Sequence, residues 1–429
     1  MSLREPAAKS PTGAGTPIPA TVRDPASEAF NTFEHLAHAR RQAESRGYDD
    51  FLIVDVDSHH YENEASAEIA EYVRNDVLRN EILYQGISRK GITTGFGQYQ
   101  DLGGRLIRYP QRKKEPVPED THRDVTLMRR WMDAMGVDMA CMFPTPLLNL
   151  GLSPRVDLEV ELAFGYNRWL CERVLSEDRR LKSMLYLPFN DPEACERVIE
   201  EFGDAPGVIG FMVTSVRYRG VYDNAYLKTY RMLEERGLPL GFHTGLGGQE
   251  PGLSTCNRFL TLHALGFAWH NMLHLSNWVI NGLPERFPKL KVMWIEAGLA
   301  WIPFLMQRLD NEYMMRHSDA PLLKRKPSDY MREMFYTSQP MEMVDNAKAL
   351  ELTFEMMRAE TQLLYSSDYP HWDMDLPSVI YDLPFLEEGA KRNILGGNAQ
   401  RVFGLEPVLS DAKLARRAEA ERAKALGTA

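Results

Sequence analysis

FLIVDVDSHHYE, residues 51–62, decides the reading of the fold. Phe51 to Asp57 is a short, dense apolar run bounded by polar residues, which fits a strand buried on both faces. An open dinucleotide-binding sheet would place a glycine-rich, phosphate-cradling turn directly after such a strand. This chain has Asp57, Ser58, His59 and His60 there instead. Residues two apart on a strand project to the same side, so Asp57 and His59 converge on one point while His60 turns away into a structural or loop role.

Working outward, the same unit recurs. An amphipathic stretch, Arg123–Met135, ends at Gly136 and leads into VDMACMF (137–143). Helical spacing over 158–175 precedes SMLYLPF (183–189). Asp191 and Pro192 supply an N-cap and a first helical position for the helix before GVIGFMVT (207–214). YLKTYRMLEERG precedes LPLGFHTG (238–245), and a long helical region ending ERFPKL precedes KVMWIE (291–296). Two more units close the series, at MFYTSQP around Phe335 and QLLYSSDYP (362–370). Eight strands alternating with helices predict an α/β fold, a (β/α)8 TIM barrel with an insertion after its first strand and helical extensions at both ends.

The expected organisation is a flexible arm at 1–26, rich in Pro, Ala, Thr and Gly, then an N-terminal helix at 27–50. The barrel domain spans 51–408, with an insertion at 63–120, and a charged helix or tail covers 409–429. A long insertion without clear periodicity inside a compact domain is usually functional, so 63–120 reads as a lid. With 50 Lys+Arg against 60 Asp+Glu, the net charge is −10, which disfavours nucleic acid as a partner. Cys141, Cys171, Cys195 and Cys256 lie far apart, with neither a disulfide framework nor a thiolate metal site. No apolar run is long enough to span a membrane, and the first residues lack a signal-peptide core, so a cytoplasmic enzyme is expected.

Chemistry in such a barrel sits at the C-terminal ends of the strands. Polar residues at those ends are Asp57 and His59, His243, Glu296 and Asp368. Any one of them has an ordinary explanation: a hydrogen-bonded histidine, or an aspartate in a turn. Imidazoles and carboxylates from four strands at one rim suit a divalent transition metal and disfavour calcium or magnesium. Zinc is the first expectation, with manganese or iron as alternatives, one ion per chain. Such an ion lowers the pKa of bound water to about 7, and a nearby carboxylate can manage the protons.

Other residues carry two readings each. His263, His270 and His274 share helical spacing, and either reach the site or form the polar side of a packed helix; His274 is taken with the catalytic group and His270 with the substrate. Arg217, just past the fourth strand, either holds a substrate carboxylate or is a solvated loop charge. His371 and Trp372, following Asp368, either touch substrate or pack. Glu62 either braces a ligand or lies at the surface.

The segments VDVDSHHYE (54–62), GFHTG (241–245), NGLPERFPKLKVMWIEAGLAWIPFLMQRLD (281–310), YSSDYPHWD (365–373) and NILGGNAQRVFGL (393–405) resemble the amidohydrolase superfamily. The likeness is to its family 2 branch, which includes aminocarboxymuconate-semialdehyde decarboxylase and γ-resorcylate decarboxylase, and runs from about residue 51 to 405. It implies metal ligands at Asp57, His59 and His243, with Asp368 binding the metal or the attacking water, and a homodimer or larger assembly. Two positions depart from the family pattern. Asp57 stands where the first-strand motif commonly has His, and Glu296 where the decarboxylases carry a catalytic His. The second departure favours hydrolysis. The expected function is therefore a metal-dependent hydrolase of a small aromatic or ring-derived molecule, with Asp368 and Glu296 in catalysis. The aromatic expectation follows from the resemblance together with Phe143, Trp301, Tyr369 and Trp372 near strand ends. The alternatives are a non-oxidative decarboxylase of an aromatic or muconate-type acid, and a metal-free binding barrel.

Overall fold

The computed structural model describes residues 32–87, 120–214, 219–245, 252–256, 258–342, 347–371 and 373–425. The arm at 1–26, most of the insertion, Arg217 and Trp372 lie outside these residues.

Eight parallel strands run in sequence order around one sheet. They are β1 (Val54–His59), β2 (Met139–Phe143), β3 (Leu181–Tyr186), β4 (Val208–Val213), β5 (Leu240–His243), β6 (Val292–Ile295), β7 (Phe335–Thr337) and β8 (Leu363–Leu364). β8 returns to β1: Val56 N–H donates to Tyr365 O at 3.0 Å, Asp368 N–H to Asp57 O at 2.8 Å, and Ser58 bridges Tyr369. The sheet thus closes into the (β/α)8 barrel that alternation of strands and helices predicts.

The local signals act as their chemistry requires. The Asp191 side chain accepts from Ala194 N–H and caps the helix Pro192–Phe202. Gly136 ends the helix Arg123–Met135 in the left-handed region, φ 73°, where a side chain would be strained. The last two strands are shorter than their apolar sequence suggests. Beyond Leu364 the backbone leaves the β7 ladder: Tyr365 N–H donates to Ile394 O, Ser366 N–H to Ser338 Oγ and Ser367 N–H to Asp55 Oδ1.

Part of the segment at 63–120 is helical, with helices at Ser66–Glu71 and Asp76–Gln85. At the other end of the barrel the helix Asp411–Ala425 packs under β1 and β2. Its Lys413 is buried, and the ammonium reaches Asp138 Oδ2 at 2.7 Å and Phe51 O at 2.5 Å. Among the described residues no helix is long and apolar enough to cross a membrane, and all four cysteines are free.

Candidate metal centre and active site

Five of the polar groups read from the strand ends meet at the C-terminal mouth of the barrel. One ligating atom from each of Asp57, His59, His243 and Glu296 lies within 4.8 Å of the others, and His59, Asp368 and His371 form a second, overlapping group. All six side chains are buried. His59 Nε2 stands 3.2 Å from Asp57 Oδ1 and 3.3 Å from Asp368 Oδ1. His243 Nε2 is 3.2 Å from the same Asp57 oxygen, 3.1 Å from His59 Nε2 and 3.6 Å from Glu296 Oε2.

Hydrogen-bond directions make this set a cation site. His59 Nδ1 lies 2.8 Å from the carbonyl of Pro144, which can only accept, so Nδ1 carries the hydrogen. In the neutral ring, Nε2 is then a bare lone pair aimed at carboxylate oxygens and at a second imidazole. Asp57 Oδ2 has no hydrogen-bond partner among the described residues. Buried acceptors facing acceptors need a positive charge between them. The donor set of imidazole nitrogens and carboxylate oxygens fits a divalent transition metal. Burial pushes the Asp57 carboxyl up, but His243 and then His59 outweigh it and hold it below the ordinary range. Burial lowers His59, with Asp57 opposing, which favours the neutral, ligating form.

Backbone conformation aims two of the carboxylates. Glu296 and Asp368 have φ of 52° and 54°, left-handed values that non-glycine residues rarely adopt. Glu296 directly follows β6 and Asp368 lies in the loop after β8; each turns its side chain inward and is held in place. Glu296 N–H donates to Thr337 Oγ1 at 3.0 Å, and Asp368 N–H to Asp57 O at 2.8 Å. Strain held by its surroundings at a pocket is characteristic of functional sites.

Asp368 is gripped from both sides. His371 Nδ1 is 2.5 Å from Oδ1, and Gln339 Nε2 donates toward Oδ2 at 3.4 Å. His371 also lies over His59, ring centroids 4.4 Å apart, and Phe143 walls the other side at 4.8 Å from the His243 ring.

The remaining candidates are distributed differently. His270 and His274 sit on the helix Phe259–Ile280, outside both converging groups. His274 stacks on Phe242 at 5.5 Å, and Phe242 alternates to the opposite face of β5 from His243. Burial lowers His270 to about 4, and burial followed by His270 lowers His274 to about 3, so both rings are neutral. His263 faces Asp373 at 3.5 Å in the loop after β8. His60 is turned away from the centre, with Nδ1 3.0 Å from Asp124 and Nε2 2.8 Å from the Tyr166 hydroxyl.

Asp55, Pro144, Thr145 and Gln339 support the centre without having been singled out in the sequence. Asp55 was within reach, since alternation places it on the face of Asp57 and His59; it accepts from Ser367 N–H at 2.9 Å and Ser367 Oγ at 2.5 Å. The other three follow the ends of β2 and β7, where a polar residue carries no spacing signal of its own.

Residues 121–405 match the sequence profile of the amidohydrolase family. This chain belongs to that family. Among curated proteins, the chain is 26% identical over 261 residues to a γ-resorcylate decarboxylase of Polaromonas, covering 57% of this chain and 77% of the relative. It is 22% identical over 279 residues to the 2-amino-3-carboxymuconate-6-semialdehyde decarboxylase of Dictyostelium discoideum, covering 63% and 74%. Among solved structures, it resembles the 5-carboxyvanillate decarboxylase of Novosphingobium aromaticivorans complexed with manganese and 4-hydroxy-3-methoxy-5-nitrobenzoic acid. That match has a TM-score of 0.59 at 18% identity and covers 84% of this chain and 97% of the other. The family is one of enzymes, and the relatives named here are decarboxylases, not the hydrolases expected from Glu296.

Proposed function

We propose that this enzyme is a metal-dependent, non-oxidative decarboxylase of a small aromatic carboxylic acid, with manganese as the first ion to test. This reverses the order of the sequence reading, which put hydrolysis and zinc first. The observation that carries the proposal is the position of Asp368. It is a buried carboxyl beside the ligand cluster, clamped by His371 and Gln339, in a family whose similar curated members are named as decarboxylases.

Asp57, His59 and His243 would hold the metal, with Glu296 adding a carboxylate oxygen and Asp368 at its edge. A bound divalent ion supplies the positive charge that anchors the substrate's acidic oxygens. Asp368 then hands a proton to the ring carbon that bears the carboxylate. The new C–H bond forms, the C–C bond to the carboxylate breaks, and carbon dioxide leaves with no water consumed. Glu296 is assigned to holding the metal, not to the role of the decarboxylases' histidine. His270 and His274 are left out of this machinery: neither joins the converging groups, and His274 stacks on Phe242, on the face of β5 away from His243. The segment 63–120, most of which lies outside the described residues, is assigned to substrate selection.

The test is product analysis on metal-loaded protein given a panel of hydroxybenzoates and related acids in heavy water. Decarboxylation puts deuterium on the ring carbon and releases carbon dioxide. Incorporation of oxygen from labelled water into the product would restore hydrolysis. Asp368→Asn should lower kcat by about 100- to 10,000-fold, as expected for loss of a proton donor, while still binding manganese.

A further inference from the structure

Glu62 is fully buried, and both of its oxygens are used on one short piece of chain. Oε2 accepts from Thr145 N–H at 2.9 Å and Oε1 from Leu147 N–H at 2.7 Å. The loop after β2 is thus held by one carboxylate on either side of Pro146. That loop reaches the centre twice. The Pro144 carbonyl accepts from His59 Nδ1 at 2.8 Å, and Thr145 Oγ1 lies 3.2 Å from His371 Nε2. The Thr145 hydroxyl gives its hydrogen to the His60 carbonyl at 2.9 Å, so toward His371 it accepts. This places a hydrogen on His371 Nε2 and turns Nδ1 toward Asp368 Oδ1.

We propose that Glu62 is a positioning residue of the metal centre. Through a single loop it fixes the ring orientation of His59, a ligand, and of His371, the partner of Asp368. The inference rests on the metal-centre reading above and not on the choice of reaction. The physical reason is one of shared support. Removing the carboxylate leaves two buried backbone N–H groups without acceptors, and the loop must move to satisfy them. Pro144 O and Thr145 Oγ1 move with it, and both imidazoles lose the contact that sets their tautomer.

The experiment titrates metal-free protein with Mn2+ by calorimetry and records the visible absorption of the Co2+ form, which reports ligand geometry without turnover. Glu62→Gln keeps an acceptor for one N–H and opposes the other with its amide. It should weaken Mn2+ binding by about 100-fold and shift the Co2+ bands. Thr145→Val keeps the backbone bond to Glu62 but removes the hydroxyl's contacts with His371 and the His60 carbonyl, and should weaken binding by about 10-fold, with a smaller spectral shift. A merely structural role would lower the melting temperature but leave the Co2+ bands of the loaded variant unchanged, and that result overturns the proposal. Should Glu62→Gln fail to fold, Thr145→Val decides alone: wild-type affinity and spectrum would sink the inference. If the wild-type protein binds neither ion, the metal-centre reading falls and takes this one with it. If the wild type binds and Glu62→Gln matches it, only the role of Glu62 is lost.

Discussion

The two ends of the barrel bury carboxylates in opposite ways. At the base, Asp138 takes an ammonium from the chain's own C-terminal helix. Lys413 Nζ is 2.7 Å from its Oδ2, and Ile53 N–H donates to the same oxygen at 2.9 Å. Arg180 adds bonds to the carbonyls of Asp138 and Val137, at 2.9 and 2.8 Å. At the mouth, Asp57, Glu296 and Asp368 gather around the imidazoles of His59, His243 and His371. The base draws its cation from within the chain. The mouth gathers the imidazole and carboxylate donors that a divalent ion would take.

The largest effect should follow from breaking the mouth. Asp57→Ala or His243→Ala removes a ligand from the cluster and should weaken Mn2+ binding by at least about 1,000-fold, read by calorimetry, while the protein still folds. A variant that binds Mn2+ as the wild type does would mean that these groups do not form the metal site. Breaking the base should do the reverse. Lys413→Met leaves Asp138 buried without its cation and should cost about 3–5 kcal/mol in urea unfolding, with Mn2+ affinity unchanged. Pairing it with Asp138→Leu should recover part of that loss, since no buried charge remains. If Lys413→Met changed metal affinity instead, the separation of the two ends would fail.

His270 and His274 sharpen the comparison as buried histidines that, among the described residues, have no carboxylate partner. Their folded pKa values, about 4 and 3, lie below the ordinary 6.5 because of burial. The unfolded chain therefore binds more protons below pH 6.5, and stability should fall from that pH down to about 4, on the order of 1 kcal/mol per pH unit for each group. Unfolding of His274→Leu between pH 7 and 5 should show a shallower decline than the wild type. Equal slopes would show that these rings are not the groups that titrate. The smallest effect is expected at Arg416, whose half-exposed pair with Asp49 at 2.7 Å also ties the C-terminal helix to the base. Arg416→Ala should cost less than about 1 kcal/mol, because solvent screens the pair. A cost near that of Lys413→Met would mean that the helix docks through its surface charges and not through the buried ammonium.

The fold was legible because its signals are local. Apolar runs alternate with helices eight times, the Asp191 cap and the Gly136 stop act within a few residues, and period-two alternation puts Asp57 beside His59. Strand ends were less legible. Glu296 and Asp368 adopt left-handed backbone conformations that nothing in the neighbouring sequence demands, and Thr337 and Asp57 hold them there from other strands. The histidines show the same limit. Helical spacing put His270 and His274 together, yet it carries no information on which face of a strand the helix covers.

The sequence by itself determined the barrel, the polar strand ends and the family, because strand period, helix caps and family motifs are written in consecutive residues. Tertiary structure alone decided which of those groups share a site. It brought Glu296 against His243, clamped Asp368 between His371 and Gln339, and made Glu62 the support of the loop after β2. These contacts join residues from strands far apart in the chain, and only closure of the barrel sets their distances and hydrogen-bond directions.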